Sequence, residues 1–344
     1  MDTFKPKITR IEASGSVETR IKSGRALVKE GKFSEALAEF EAAIRLDPHA
    51  KAAHLGAGAM KARLKRFDDA IAEFKEVLRL DPMNIQAFLR LARVLMATGD
   101  LPKAREYGES ALRIDPKSAA GYLLVGQIAL EAGEVDAAKE KLARAVALDP
   151  RMVRARLEYA LAFQRESRLP EALSQLNAAV RIEPDNAHAN DALGKLHLQR
   201  QDFQAAKLSF EKSLGLRTEH ENNRDSSSLF GLAEALIALS DPDGAEAALR
   251  KVVSKPEGQP EMHKLWGDIY FSRSMWIEAV EEYRAATMLL EKGSDATPAT
   301  LEANPDEADL AAWETLAHTL RTSTDAERER ARHRQKGAGS EVDD

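Results

Sequence analysis

Residues 33–48 read FSEALAEFEAAIRLDP, and the same outline returns as FDDAIAEFKEVLRLDP at 67–82, LPKAREYGESALRIDP at 101–116, VDAAKEKLARAVALDP at 135–150 and LPEALSQLNAAVRIEP at 169–184. Each copy starts 34 residues after the one before it, so Pro48, Pro82, Pro116, Pro150 and Pro184 are evenly spaced. Ala36, Ala70, Ala104, Ala138, Ala172 and Ala206 keep the same step, and after five extra residues the series resumes at Ala245 and Ala279. Eight units of 34 with that insertion fill residues 17–293. A fixed period of this length marks a chain built from one supersecondary unit, stacked on copies of itself.

Within a unit the apolar residues recur at three- and four-residue spacing in two runs, such as 17–30 and 35–47, with Gly31 between them. That is the periodicity of two helices joined by a short turn. Proline ends the second helix because it lacks an N–H and disfavours helical backbone in the residue before it. The first helix carries a small residue at Gly24, Gly58, Ala92, Gly126, Ala160, Gly194, Ala233 and Gly267. The second carries the alanine series and, four residues on, Phe40, Phe74, Leu142, Leu176, Phe210, Leu249 and Tyr283, with Gly108 as the exception in the third unit. Small residues on facing helices allow close approach. A single pair cannot bury its own apolar face, so pairs must stack.

These positions resemble the tetratricopeptide repeat (TPR) family, whose pattern asks for a small residue at position eight, alanine at twenty, a large apolar residue at twenty-four and proline at thirty-two. Thr218, Glu257 and Glu291 replace the proline in the last three units. The resemblance implies an all-α, right-handed superhelical solenoid of helix-turn-helix repeats whose first helices line a concave groove. The expected organisation is a flexible N-terminal lead at 1–16, the repeat superhelix at 17–293, a linker at 294–305, a closing helix at 306–321 and a disordered charged tail at 322–344. The polar stretch 217–226 is expected to be a loop insertion between repeats six and seven. Leu310, Trp313, Leu316 and Leu320 form the apolar stripe of the closing helix.

Composition narrows the function. The chain of 344 residues is 44% hydrophobic and 31% charged, enough for a substantial core. It has no cysteine, which removes disulfides, thiolate catalysis and cysteine metal sites and fits a reducing compartment. The net charge of −6 argues against whole-surface binding to nucleic acid. Residues 1–16 contain no apolar signal core, and no window is long and apolar enough to span a membrane. A cytoplasmic protein is expected. No phosphate-binding loop or H-E-x-x-H is present, and the eight histidines are scattered. The expectation is therefore a protein with no enzymatic activity, catalytic residue, cofactor or metal.

What remains is the groove. The resemblance implies partner contact from first-helix positions two, five, nine, twelve and thirteen. In repeats one to six these hold Arg25, Lys29, Arg63, Arg93, Arg154, Arg165 and Lys195 against Glu18, Glu131 and Asp191, a basic bias in an acidic protein. Repeats seven and eight reverse it with Glu234, Glu261 and Asp268 against Lys264. Leu89 and Leu123 supply apolar contact, and Gln86, Gln127, Gln164 and Gln199 supply hydrogen-bonding groups. Positions five and nine of the first three repeats hold Ile21 and Arg25, Leu55 and Ala59, and Leu89 and Arg93. They lack the lysines and asparagines with which TPR co-chaperones grip a terminal carboxylate. The reading is a protein–protein interaction scaffold or adaptor that receives an extended or helical segment with acidic and apolar side chains. The alternative is a homo-oligomeric structural protein that assembles through groove or end contacts.

Overall fold

A computed structural model describes residues 10–217, 226–252, 260–290, 315, 317–322 and 324. All regular structure among them is helical, with no strand. The chain divides into two compact units, residues 1–150 and 151–344.

The first unit holds four helix pairs: α1 (Arg10–Lys29) with α2 (Phe33–Leu46), α3 (Lys51–Arg63) with α4 (Phe67–Leu80), α5 (Ile85–Ala97) with α6 (Leu101–Ile114), and α7 (Ala119–Glu131) with α8 (Val135–Leu148). The second unit holds α9 (Val153–Arg165) with α10 (Leu169–Ile182), α11 (Ala187–Gln199) with α12 (Phe203–Gly215), α13 (Ser227–Ala238) with α14 (Pro242–Leu249), and α15 (Pro260–Ser272) with α16 (Trp276–Leu290). Each pair is one 34-residue repeat. One boundary differs from the sequence expectation: α1 begins at Arg10, so residues 10–16 extend the first helix rather than forming a flexible lead. The insertion, apart from Arg217 and Ser226, lies outside the described residues. So do Thr218, Glu257 and Glu291, the linker, most of the closing helix and most of the charged tail.

Local chemistry sets the helix ends. The side chains of Asn84, Ser118 and Asn186 accept hydrogen bonds from the backbone N–H groups of Ala87, Gly121 and Ala189, capping first helices. Asp100, Asp202 and Asp241 do the same for second helices. The turn between the two helices needs one residue with positive φ at position fifteen. Gly31, Gly99 and Gly133 supply it in three repeats, and Lys65, Ser167, Gln201, Ser240 and Ser274 adopt it in the others at φ between 57° and 61°.

The core is built repeat by repeat. The position-twenty alanines Ala36, Ala70, Ala104, Ala138, Ala172, Ala206, Ala245 and Ala279 are all fully buried. The large residues at position twenty-four lie against the small residues at position eight of the same repeat. A Cβ added at Gly58 would stand 2.6 Å from the Phe74 ring, and one at Gly194 would stand 2.8 Å from the Phe210 ring. In repeat three both positions are small, Ala92 and Gly108. Gly108 leaves space that Val125 of α7 enters, where an added Cβ would meet it at 2.9 Å.

A second cross-helix contact joins positions four and twenty-three. Arg20 reaches Glu39 at 3.0 Å, His54 Nδ1 lies 2.6 Å from Glu73, Arg156 donates to Gln175 at 3.0 Å, and His263 Nδ1 lies 2.7 Å from Glu282. In repeat three the same positions hold a ring pair, Phe88 and Tyr107, with centroids 6.1 Å apart. The contact is steric before it is chemical: the geometry persists while the interaction changes from ion pair to amide to aromatic.

Candidate functional site

The groove residues foreseen from the sequence separate into those at the surface and those in the core. In the first unit Arg25, Gln86 and Arg93 are exposed, while Leu89 is half-buried against the core of repeats two and three. Arg63 is exposed at the end of α3, with its guanidinium 4.6 Å from the Phe33 ring centroid. Leu123 and Gln127 are buried at 7% and 8% exposure, so they are not open to a partner. Along α7 every residue from Leu123 to Leu130 is buried. The glycines at 108, 121 and 126 let neighbouring side chains close in around that helix.

The second unit gathers the remaining residues on adjoining first helices. Arg154 and Arg165, at positions two and thirteen of α9, are exposed. Leu161, at position nine between them, is 40% exposed. Spacings of seven and four residues put the three side chains on one face of the helix. Gln164 Nε2 donates to Gln199 Oε1 of α11 at 2.9 Å, joining the faces of α9 and α11. Lys195 on α11 is exposed, reaches Asp191 at 2.8 Å and donates to the Ser227 hydroxyl at 3.0 Å. Asp191 itself is buried and accepts from the Ser228 hydroxyl, which removes it from the accessible surface. The outcome is an exposed basic face with one leucine at its centre. Leu161 escaped the sequence reading. Its signal was its place in the position-nine series Arg93, Gln127, Leu161, Lys195, an apolar residue among polar ones.

Repeats seven and eight carry the opposite charge in a different environment. Glu261 is exposed and Glu234 half-buried, but Asp268 is buried at 4% and Lys264 at 7%. Asp268 Oδ2 accepts from Lys264 at 2.8 Å, and Oδ1 accepts from the Tyr283 hydroxyl at 2.8 Å. On α11, burial holds the His197 imidazole under its ordinary pKa, against the opposing pull of Asp202, whose carboxylate lies 3.6 Å from Nδ1. Among the described residues no group of three or more His, Asp or Glu is arranged to hold a metal ion. No described helix is long and apolar enough to cross a membrane.

Comparison with known proteins agrees with this architecture. A family model described as tetratricopeptide repeat matches residues 21–84, 123–187 and 192–260, and a second with the same description matches 61–128. No curated protein matches the chain. Among solved structures, the APC/C hetero-tetramer Cut9-Hcn1 is similar with a TM-score of 0.62 at 14% identity, over 92% of this chain and 57% of that one. The pilF protein of Pseudomonas aeruginosa is similar with a TM-score of 0.51 at 17% identity, over 58% of this chain and 91% of that one. At these identities the likeness is one of fold.

Proposed function

Because the chain belongs to the tetratricopeptide repeat family, whose fold generally serves as a protein-interaction scaffold, we propose that it is a non-enzymatic adaptor that binds an acidic, partly apolar partner segment. The observation that carries this reading is the α9 face, where Leu161 stands 40% exposed between the exposed Arg154 and Arg165. A leucine flanked by two arginines suits a helical or extended segment that presents an apolar side chain between carboxylates. Guanidinium groups favour carboxylates because both of their planar N–H edges can donate at once. Lys195 and the Gln164–Gln199 pair widen the surface toward α11. In the first unit, Arg25, Arg63, Gln86, Arg93 and Leu89 form the equivalent binding surface in this proposal.

Exposed charges contribute little singly, roughly 0–1 kcal/mol each, and mainly speed association. Leu161 should therefore matter as much as either arginine. The test is quantitative affinity capture with the intact protein, an Arg154→Glu/Arg165→Glu variant, a Leu161→Asp variant and a control reversing Arg181 and Lys212 on second helices. Both α9 variants should lose a common set of partners, at unchanged circular dichroism and melting temperature, and the control should keep that set. Equal loss from the control would reduce the effect to net charge and end the proposal.

A further inference from the structure

Residues 317–322 and 324, near the C-terminus, are helical and pack on repeat eight. Ala317 is fully buried with Ala279, Val280 and Tyr283, and Leu320 packs on the same cluster. Arg321 Nε lies 3.0 Å from Asp268 Oδ1, and its guanidinium carbon sits 5.2 Å from the Phe271 ring centroid. The Thr324 and Thr287 hydroxyls are 3.1 Å apart. Asp268 stands at position nine of its repeat, the same register as Arg93 and Lys195. The terminal segment thus occupies first-helix surface of repeat eight by presenting an arginine to a buried carboxylate.

The charges around Asp268 decide whether this arginine is structural or exchangeable. Asp268 has two cationic neighbours, Lys264 on Oδ2 and Arg321 on Oδ1, with the Tyr283 hydroxyl also donating to Oδ1. If Arg321 withdraws, the carboxylate keeps a buried cation and a hydroxyl, so no charge is stranded. The reverse does not hold, because loss of Asp268 would leave Lys264 buried without it. Arg321 is itself 36% exposed, so leaving restores it readily to water. The pair is built so that the pocket persists when the arginine goes.

We infer that the pocket formed by Asp268, Tyr283 and Phe271 is an arginine-recognising docking site, and that its resident ligand is the chain's own terminal segment, held reversibly. The carboxylate fixes the guanidinium, the Phe271 face stacks against it, and the buried spot under Ala317 demands a small residue one helical turn before the arginine. The ligand is therefore a helix with a small residue at i and arginine at i+4, as in Ala317 and Arg321.

A labelled synthetic peptide of residues 311–326 tests this against the full-length chain and its Arg321→Ala variant, which should stay folded because Lys264 still neutralises Asp268. The peptide should bind the variant chain at least tenfold more tightly than the unaltered chain, where the resident segment competes. A peptide carrying Arg321→Ala should bind the variant chain at least tenfold more weakly than the natural peptide, and Phe271→Leu in that chain should weaken the natural peptide. Equal affinity for the two peptides, equal affinity of the two chains, or no saturable binding to the variant chain would each overturn the inference. None of these measurements involves the α9 face, so its fate is decided separately.

Discussion

At Gly58 the whole side chain is a hydrogen atom, and the Phe74 ring occupies the place a methyl group would take, 2.6 Å from that Cβ. Gly58→Ala should therefore cost about 1–3 kcal/mol by overpacking. Repeats five and seven show the remedy, because there an alanine at position eight, Ala160 or Ala233, is matched by a leucine, Leu176 or Leu249. Gly58→Ala made in a Phe74→Leu background should lose less than half of what it loses in the natural chain, read by urea unfolding as a double-mutant cycle. Additive losses would mean that ring and glycine do not share the space. A second residue-scale outcome concerns His197. Its folded pKa is depressed by burial, so the unfolded chain takes up the proton more readily. The stability it contributes is present above about pH 6.5, near the unfolded value, and is lost as pH falls through the folded value. Melting temperatures between pH 7 and pH 5 should fall less steeply in His197→Gln than in the natural chain.

Helix by helix, the repeat period and the residues at positions eight, twenty and twenty-four were enough to place both helices of every repeat. Those positions are fixed by packing, and packing repeats wherever the period does. The contact between positions four and twenty-three was hidden because its chemistry changes from Arg20–Glu39 to Phe88–Tyr107, so no residue type recurs to reveal it. The candidate site was legible only in part. Arg154, Arg165 and Lys195 stand on the surface, whereas Leu123 and Gln127 lie on a helix whose residues from 123 to 130 are all buried, which register alone does not disclose. The most heavily buried of the cross-helix contacts joins α3 and α4, where Glu73 holds His54 at 2.6 Å and Lys61 at 2.6 Å. Lys61 is 8% exposed. Glu73→Ala removes the carboxylate shared by both and should cost about 3 kcal/mol, measurable by chemical denaturation. A loss below about 1 kcal/mol would show that Glu41, 3.7 Å from Lys61, takes over the pairing.

For the whole molecule, stability in a stacked array is a sum of repeats and of the contacts between neighbours. The first compact unit contains the helix pairs of four repeats, so a fragment ending at Pro150 should be helical and unfold cooperatively by circular dichroism. At the other end, a cut after residue 322 removes Thr324, which is 1% exposed and touches Thr287, so the dispensable tail begins later than the charge pattern suggests. Deleting residues 326–344 should leave the melting temperature unchanged. Deleting 315–344 should lower it by several degrees by uncovering Ala279, Val280 and Tyr283.

The fit between position eight and position twenty-four bears on how such a chain can grow. If arrays of this kind lengthen by unequal recombination, a crossover inside a repeat joins the first helix of one copy to the second helix of another. Setting the Ala160 helix before the Phe210 helix would drive a methyl group into an aromatic ring. Setting the Ala92 helix before any ring-bearing partner would do the same. Crossovers between repeats keep each of these pairs together, but Phe40 and Phe210 also lie against Gly56 and Gly231 of the following repeat. The heritable module is then the whole helix pair, joined to the next repeat's glycine wherever, as at Phe40–Gly56 and Phe210–Gly231, the ring presses on both.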